Sequence, residues 1–78
     1  MTLKIISAER IVFEGEATSV TLPGELGLFT VLPRHASLVS TLTAGSISYR
    51  EPDGEERKVE VDGGIADIDN EGVSVCVY

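Results

Sequence analysis

Apolar and polar residues alternate along this chain in short stretches of strand length. Leu3 and Ile5 fall on one side of an extended segment with Lys4 on the other, as a half-buried strand requires. Ile11-Val12-Phe13-Glu14 predicts a second strand. Gly15 lets the backbone bend before a third over 17–22, in which Val20 and Leu22 bracket Thr21. Pro23-Gly24 predicts a turn, since proline presets the first turn dihedral and glycine accepts a positive one. Residues 27–31 read as a fourth strand, followed by the loop Leu32-Pro33-Arg34-His35. Ala36-Ser37-Leu38-Val39 fits one helical turn or the entry to a strand ending near Leu42, and periodicity leaves both open. After Gly45, Ile47 and Tyr49 alternate with Ser46, Ser48 and Arg50. Pro52-Asp53-Gly54 then turns the chain so that Val59 and Val61 return on one side. Gly63-Gly64 marks a bend, 65–69 a further strand and Asn70-Glu71-Gly72 another turn. Val73, Val75 and Val77 close the chain in alternation with Ser74, Cys76 and Tyr78.

Turn signals recur about every 8–12 residues and no segment keeps a helical period, so the class implied is all-β, a small sandwich or closed barrel. Connections this short cannot carry parallel crossovers, so the strand order is expected to be antiparallel. A chain of 78 residues is one domain, 1–78, with a thin core. The single cysteine, Cys76, excludes an internal disulfide and is too little for a zinc site; it is expected on a strand. Six Lys and Arg against thirteen Asp and Glu give a formal charge of −7, which repels phosphate backbones and argues against nucleic acid as a partner. No apolar stretch reaches the roughly 18 residues of a membrane span, and MTLKIISAE lacks the features of a secretory signal or transit peptide. A bacterial cytoplasmic location without membrane insertion is therefore expected, with docking on a membrane complex left open.

Candidate chemistry is sparse. His35 is the only candidate base, and no glycine-flanked serine stands near it to complete a hydrolytic constellation; Ser37 and Ser40 read as ordinary strand or turn residues. Asp67 and Asp69 would share a strand face about 6–7 Å apart, a spacing compatible with paired-carboxylate hydrolysis or calcium, although an exposed face is the default reading. Gly24 and Gly27 are not followed by the lysine and helix of a phosphate loop. The acidic run Glu51 to Glu56 reads as a solvated hairpin tip. No cofactor or metal is expected. What remains is a binding module.

The segment Leu22 to Gly45, LPGELGLFTVLPRHASLVSTLTAG, resembles the signature of the F-type ATP synthase epsilon subunit. The opening LKIISAERIVFEGEATSVTLPG is similar to that family's first three strands, including the Ser7-Ala8-Glu9 corner and the Phe13-Glu14-Gly15 step. Leu32-Pro33-Arg34-His35-Ala36 with Leu38 and Ala44-Gly45 is the most specific element, and Gly63-Gly64-Ile65 followed by Val73-Ser74-Val75 matches the closing hairpin. The resemblance implies an antiparallel sandwich of about ten short strands. This sandwich would have no active site and would couple the gamma subunit to the membrane ring of c subunits during proton-driven ATP synthesis. It implies gamma contacts at Ser7, His35 and Ser40. A ring-facing loop is implied at Gly27, Leu28, Phe29 and Thr30, with Arg34 beside it, and the location implied is the cytoplasmic face of the plasma membrane. Family members often carry glycine where Arg34 stands and an acidic residue where Leu28 stands. Many continue into a two-helix hairpin that inhibits hydrolysis or binds ATP; this chain is read as the sandwich alone, so neither property is carried over. A free-standing β-sandwich adaptor is the alternative reading, and a hydrolase built on Asp67 and Asp69 a distant third. Coverage of one apolar face by gamma would leave a larger exposed patch on the free chain than ordinary monomers show.

Overall fold

A computed structural model describes all residues 1–78. The chain forms nine strands and no helix: β1 Thr2–Ile6, β2 Ile11–Glu16, β3 Ser19–Gly24, β4 Gly27–Val31, β5 Leu38–Leu42, β6 Gly45–Arg50, β7 Glu56–Val61, β8 Gly64–Ile68 and β9 Gly72–Val77. Residues 32–37 pair with no strand and stay a loop, and the count is nine where the resemblance implied about ten. The open choice at Ala36–Val39 resolves as strand from Leu38, because β5 gains a full five-residue register with β8.

The strands run β2-β1-β9-β8-β5-β3-β6-β7, with β4 on the other side of β3. One layer is β2-β1-β9-β8-β5 and the other β4-β3-β6-β7. They join where β5 meets β3 in the single pairing Gly24↔Leu42. Two backbone hydrogen bonds flank that joint: the Thr43 N–H donates to Pro23 O at 2.8 Å and the Glu25 N–H to Thr41 O at 3.2 Å.

Two expectations are corrected. The strands are not all antiparallel, since β1 pairs β9 in parallel from Thr2↔Gly72 to Ile6↔Cys76. Short connections constrain only strands adjacent in sequence, whereas these two use the rest of the chain as their crossover. The turn expected at Pro23-Gly24 falls at Glu25-Leu26, and both Pro23 and Gly24 belong to β3. Proline is tolerated there because it stands at the corner between β5 and β6, where the ladder is already interrupted. Gly27 takes the positive φ, +127°.

Fourteen apolar residues make the core and no polar side chain is buried. Leu3 and Ile5 of β1, Val20 and Leu22 of β3, Ile47 and Tyr49 of β6, Ala66 and Ile68 of β8 and Val73 and Val75 of β9 all point inward. This is the alternation read from the sequence. Cys76 lies on β9 and is exposed. Tyr49 is 6% exposed and tilts against Phe13 with ring centroids 4.4 Å apart. At the β6–β7 hairpin, Arg50 meets Glu56 at 3.4 Å and Arg57 meets Glu51 at 3.6 Å, surface pairs worth little individually.

Gly72 and Gly64 stand where backbones cross most closely: a side chain on Gly72 would meet the Thr2 carbonyl, and one on Gly64 the Cys76 carbonyl. Gly72→Ala is therefore expected to part the β1–β9 pair, costing about 1–3 kcal/mol as overpacking does. Thermal unfolding would show this as a Tm drop of about 5–15 °C. Burial raises the Tyr49 phenol above its ordinary 10.0, the Glu51 carboxylate adds to the rise, and the Arg57 cation opposes it. The unfolded chain thus ionises first. The associated stability is intact below pH 10.0 and is eroded as pH rises through the folded value, so Tyr49→Phe is expected to flatten the alkaline limb of a stability–pH curve.

Candidate functional site

Four large apolar side chains that the core does not take up lie close together in the fold: Leu26, Leu28, Leu38 and Val39, with Leu26 fully exposed and Leu28 and Val39 about 70% exposed. Topology explains why they cannot bury. β5 pairs β8 over its whole length but β3 only at Leu42, so Leu38 to Ser40 project past the tip of the β3–β4 hairpin, and no strand of the opposite layer covers them. An open groove of about 530 Å³ lies between that tip and β5. Leu26, Leu28 and Phe29 line one wall and Leu38, Val39 and Ser40 the other. Phe29 packs on the core, and its ring lies so near Gly24 that an added Cβ there would come within 2.9 Å of it. Close approach of ring and backbone thus requires glycine at 24 and fixes the tip that carries Leu26 and Leu28.

Of the residues assigned by resemblance, the groove brings together Gly27, Leu28, Phe29 and Ser40. Ser40 is half-buried on the inward side of β5, opposite Ala66, and its hydroxyl donates to Thr41 O at 3.0 Å. Gly27 to Thr30 is strand rather than loop. Thr30 bonds across the hairpin to Thr21, Oγ1 to Oγ1 at 2.9 Å, away from the groove. Arg34 and His35 sit on the segment that leads into β5. Arg34 holds a left-handed φ of 63°, the conformation for which glycine is the usual choice. His35 is half-buried, and its Nδ1–H donates to Ala36 O at 2.6 Å, ordering its own loop.

Ser7 stands apart. It follows β1, three strand spacings or about 14 Å along the layer from β5. Its Oγ accepts from the Glu9 and Arg10 N–H groups, both at 3.3 Å, a hydroxyl-stabilised turn. An outward-facing row nevertheless links it to the groove: Ile11↔Ile6, Ile6↔Cys76, Cys76↔Ile65 and Ile65↔Thr41 are successive register partners, with Ile11 and Ile65 exposed. Val39 continues the outer face of β5 into the groove, so a largely apolar band crosses the layer from the Ser7 corner to Leu28.

Glu25 at the tip and Asp67, paired in register with Val39, flank the groove, and neither makes an ion pair. Asp69 is engaged in its own turn, accepting from the Glu71 N–H at 2.8 Å and the Gly72 N–H at 3.0 Å. Asp69 thus serves as the cap of the β8–β9 turn, just beyond the end of β8 on which Asp67 lies. The sequence pattern and the resemblance assign no contact to Leu26, Leu38 or Val39. The available signals were a leucine in a two-residue turn and two successive apolar residues where strand alternation allows one to face inward.

The fold and its apolar band define a small β-sandwich with an exposed apolar groove. The family model described as ATP synthase, Delta/Epsilon chain, beta-sandwich domain matches residues 1–78, and the chain belongs to that family. It is 38% identical over 77 residues to the ATP synthase epsilon chain of a Nitratiruptor species, covering 99% of this chain and 60% of that one. It is 40% identical over 76 residues to the epsilon chain of Leptospira interrogans, covering 96% and 58%. The chain thus spans about three fifths of the curated relatives' length. Among solved structures, it superposes with TM-score 0.89 and 21% identity on a chain of the Euglena gracilis mitochondrial ATP synthase, covering 96% of this chain and 48% of that one. With TM-score 0.81 and 10% identity it superposes on a chain of the Tetrahymena thermophila central stalk and c-ring, covering 99% and 62%. These structures share the fold. No helix is long and apolar enough to cross a membrane.

The left-handed backbone at Arg34 gives a direct test. Arg34→Gly is expected to gain up to about 1 kcal/mol, since relief of the conformational cost of about 1–2 kcal/mol exceeds the added entropy of the unfolded chain. Arg34→Val is expected to lose about 1 kcal/mol or more. Urea midpoints at constant m would rank Gly above Arg above Val.

Proposed function

We propose that this chain is the β-sandwich of an epsilon subunit on the central stalk of a bacterial F-type ATP synthase. In this reading it couples gamma to the membrane ring of c subunits and is peripheral on the cytoplasmic face of the plasma membrane. The observation that carries the reading is the exposed apolar band ending in the groove of Leu26, Leu28, Leu38 and Val39, since contiguous exposed apolar surface marks an interaction site. Family membership supports the choice of gamma and the ring as partners. Ser7, His35 and Ser40 face gamma, with Ser7 at one end of the band and Ser40 at the other. Gly27, Leu28, Phe29 and Thr30, with Arg34, approach the ring.

Mechanically the arrangement suits a part that is clamped rather than one that reacts. The core is wholly apolar and its strands are locked by interdigitated side chains, so shear applied at one face is carried through without rearrangement. The proposal assigns no catalytic step to this chain; the chemistry takes place on other subunits.

Co-purification with gamma tests the reading. Wild type is expected to bind at micromolar concentration, and the His35→Glu, Ser40→Arg double variant to lose at least tenfold, about 1.4 kcal/mol. Retention of the fold by the variant would be checked by circular dichroism. Failure of wild type to bind gamma would sink the assignment.

A further inference from the structure

Past the β3–β4 hairpin, β5 has an edge that no strand occupies. The Thr41 carbonyl accepts from Glu25 and the Thr43 N–H donates to Pro23, so the main-chain groups of odd-numbered residues in this stretch point toward β3. Those of Leu38, Ser40 and Leu42 point toward β8, because successive residues along a strand aim their hydrogen-bonding groups to opposite edges. Val39 therefore directs its N–H and C=O to the β3 side. There β3 has already turned away, and none of the hydrogen bonds outside the strand ladders reaches Val39. Such an edge is normally blunted by charge, proline or a covering loop. β5 reads LVSTL and carries none of these.

We infer that the groove receives an extended segment of gamma that adds to β5 as a strand, hydrogen-bonded to the main chain of Val39 and continuing the line that β3 leaves at Gly24. The inference rests on the proposed stalk function for its partner and concerns how the two bind. Three features define the segment. Its backbone is extended, because the unoccupied groups lie on a strand edge. Its side chains are apolar at alternate positions, because those facing inward meet Leu38 on the β5 wall, leaving Leu28 and Phe29 on the hairpin wall for the ring. It carries a lysine or arginine at the rim, because Glu25 and Asp67 flank the groove without cationic partners.

Main-chain recognition separates from side-chain recognition at Val39. Val39→Pro deletes the N–H that faces the groove and leaves the β5–β8 ladder its donors, whereas Val39→Ala keeps the N–H and removes most of the side chain. Affinity for purified gamma is expected to fall at least thirtyfold for Val39→Pro and less than fivefold for Val39→Ala. Amide hydrogen exchange on the wild-type complex gives a readout independent of any variant: the Val39 amide is expected to slow at least tenfold on binding, while the Leu38 and Ser40 amides are protected before and after. Gamma binding with Val39 still exchanging as in the free chain, or with the proline variant no weaker than alanine, overturns strand addition and leaves the stalk assignment standing. Absence of wild-type binding overturns both.

Discussion

The structure depends on β3 being shared by three neighbours. Along its first half β3 pairs β6 on one edge, at Gly24 it touches β5 on that same edge, and throughout it pairs β4 on the other. This one strand ties two layers into a closed body around an apolar core. The joint is a single residue pair wide, and for that reason β5 can run on beyond it. A broader joint would stiffen the corner but cover the edge of Leu38 to Ser40 and fill the groove. The fold closes its core and opens its apolar groove through the same local compromise.

Much of this was legible from the sequence because strand alternation encodes burial directly. Ile47 and Tyr49, Val73 and Val75, and Leu3 and Ile5 all point where a period of two places them. What misled was local chemistry read without its neighbours. Pro23-Gly24 has the composition of a turn, yet both residues are strand, because the missing proline donor falls at a corner that has no acceptor to satisfy. The parallel β1–β9 pair left no mark in the connections, since nothing local joins the two ends of the chain.

The apolar groove was less legible than the fold for a related reason. A pattern of apolar residues says which side chains would prefer burial and is silent about whether anything arrives to bury them. Leu38 and Ser40 face inward in register with Ile68 and Ala66, as a core position would, but Ile68 and Ala66 are fully buried while Leu38 is 41% exposed. The difference comes from where the opposite layer ends, a property of topology. Resemblance assigned Leu28 to the ring and Ser40 to gamma; in the structure both line one groove, together with Leu26, Leu38 and Val39.

The parallel pairing of β1 with β9 also bears on how the molecule comes into being. Hairpins β3–β4, β6–β7 and β8–β9 join neighbours in sequence and carry little closure entropy, whereas Thr2↔Gly72 must gather nearly the whole chain into one loop. During synthesis from the ribosome, β1 waits for the last strand to emerge before its inner edge is covered. The inward Leu3 and Ile5 gain their β9 neighbours Val73 and Val75 only then, so this pairing is the longest-range closure in the sandwich.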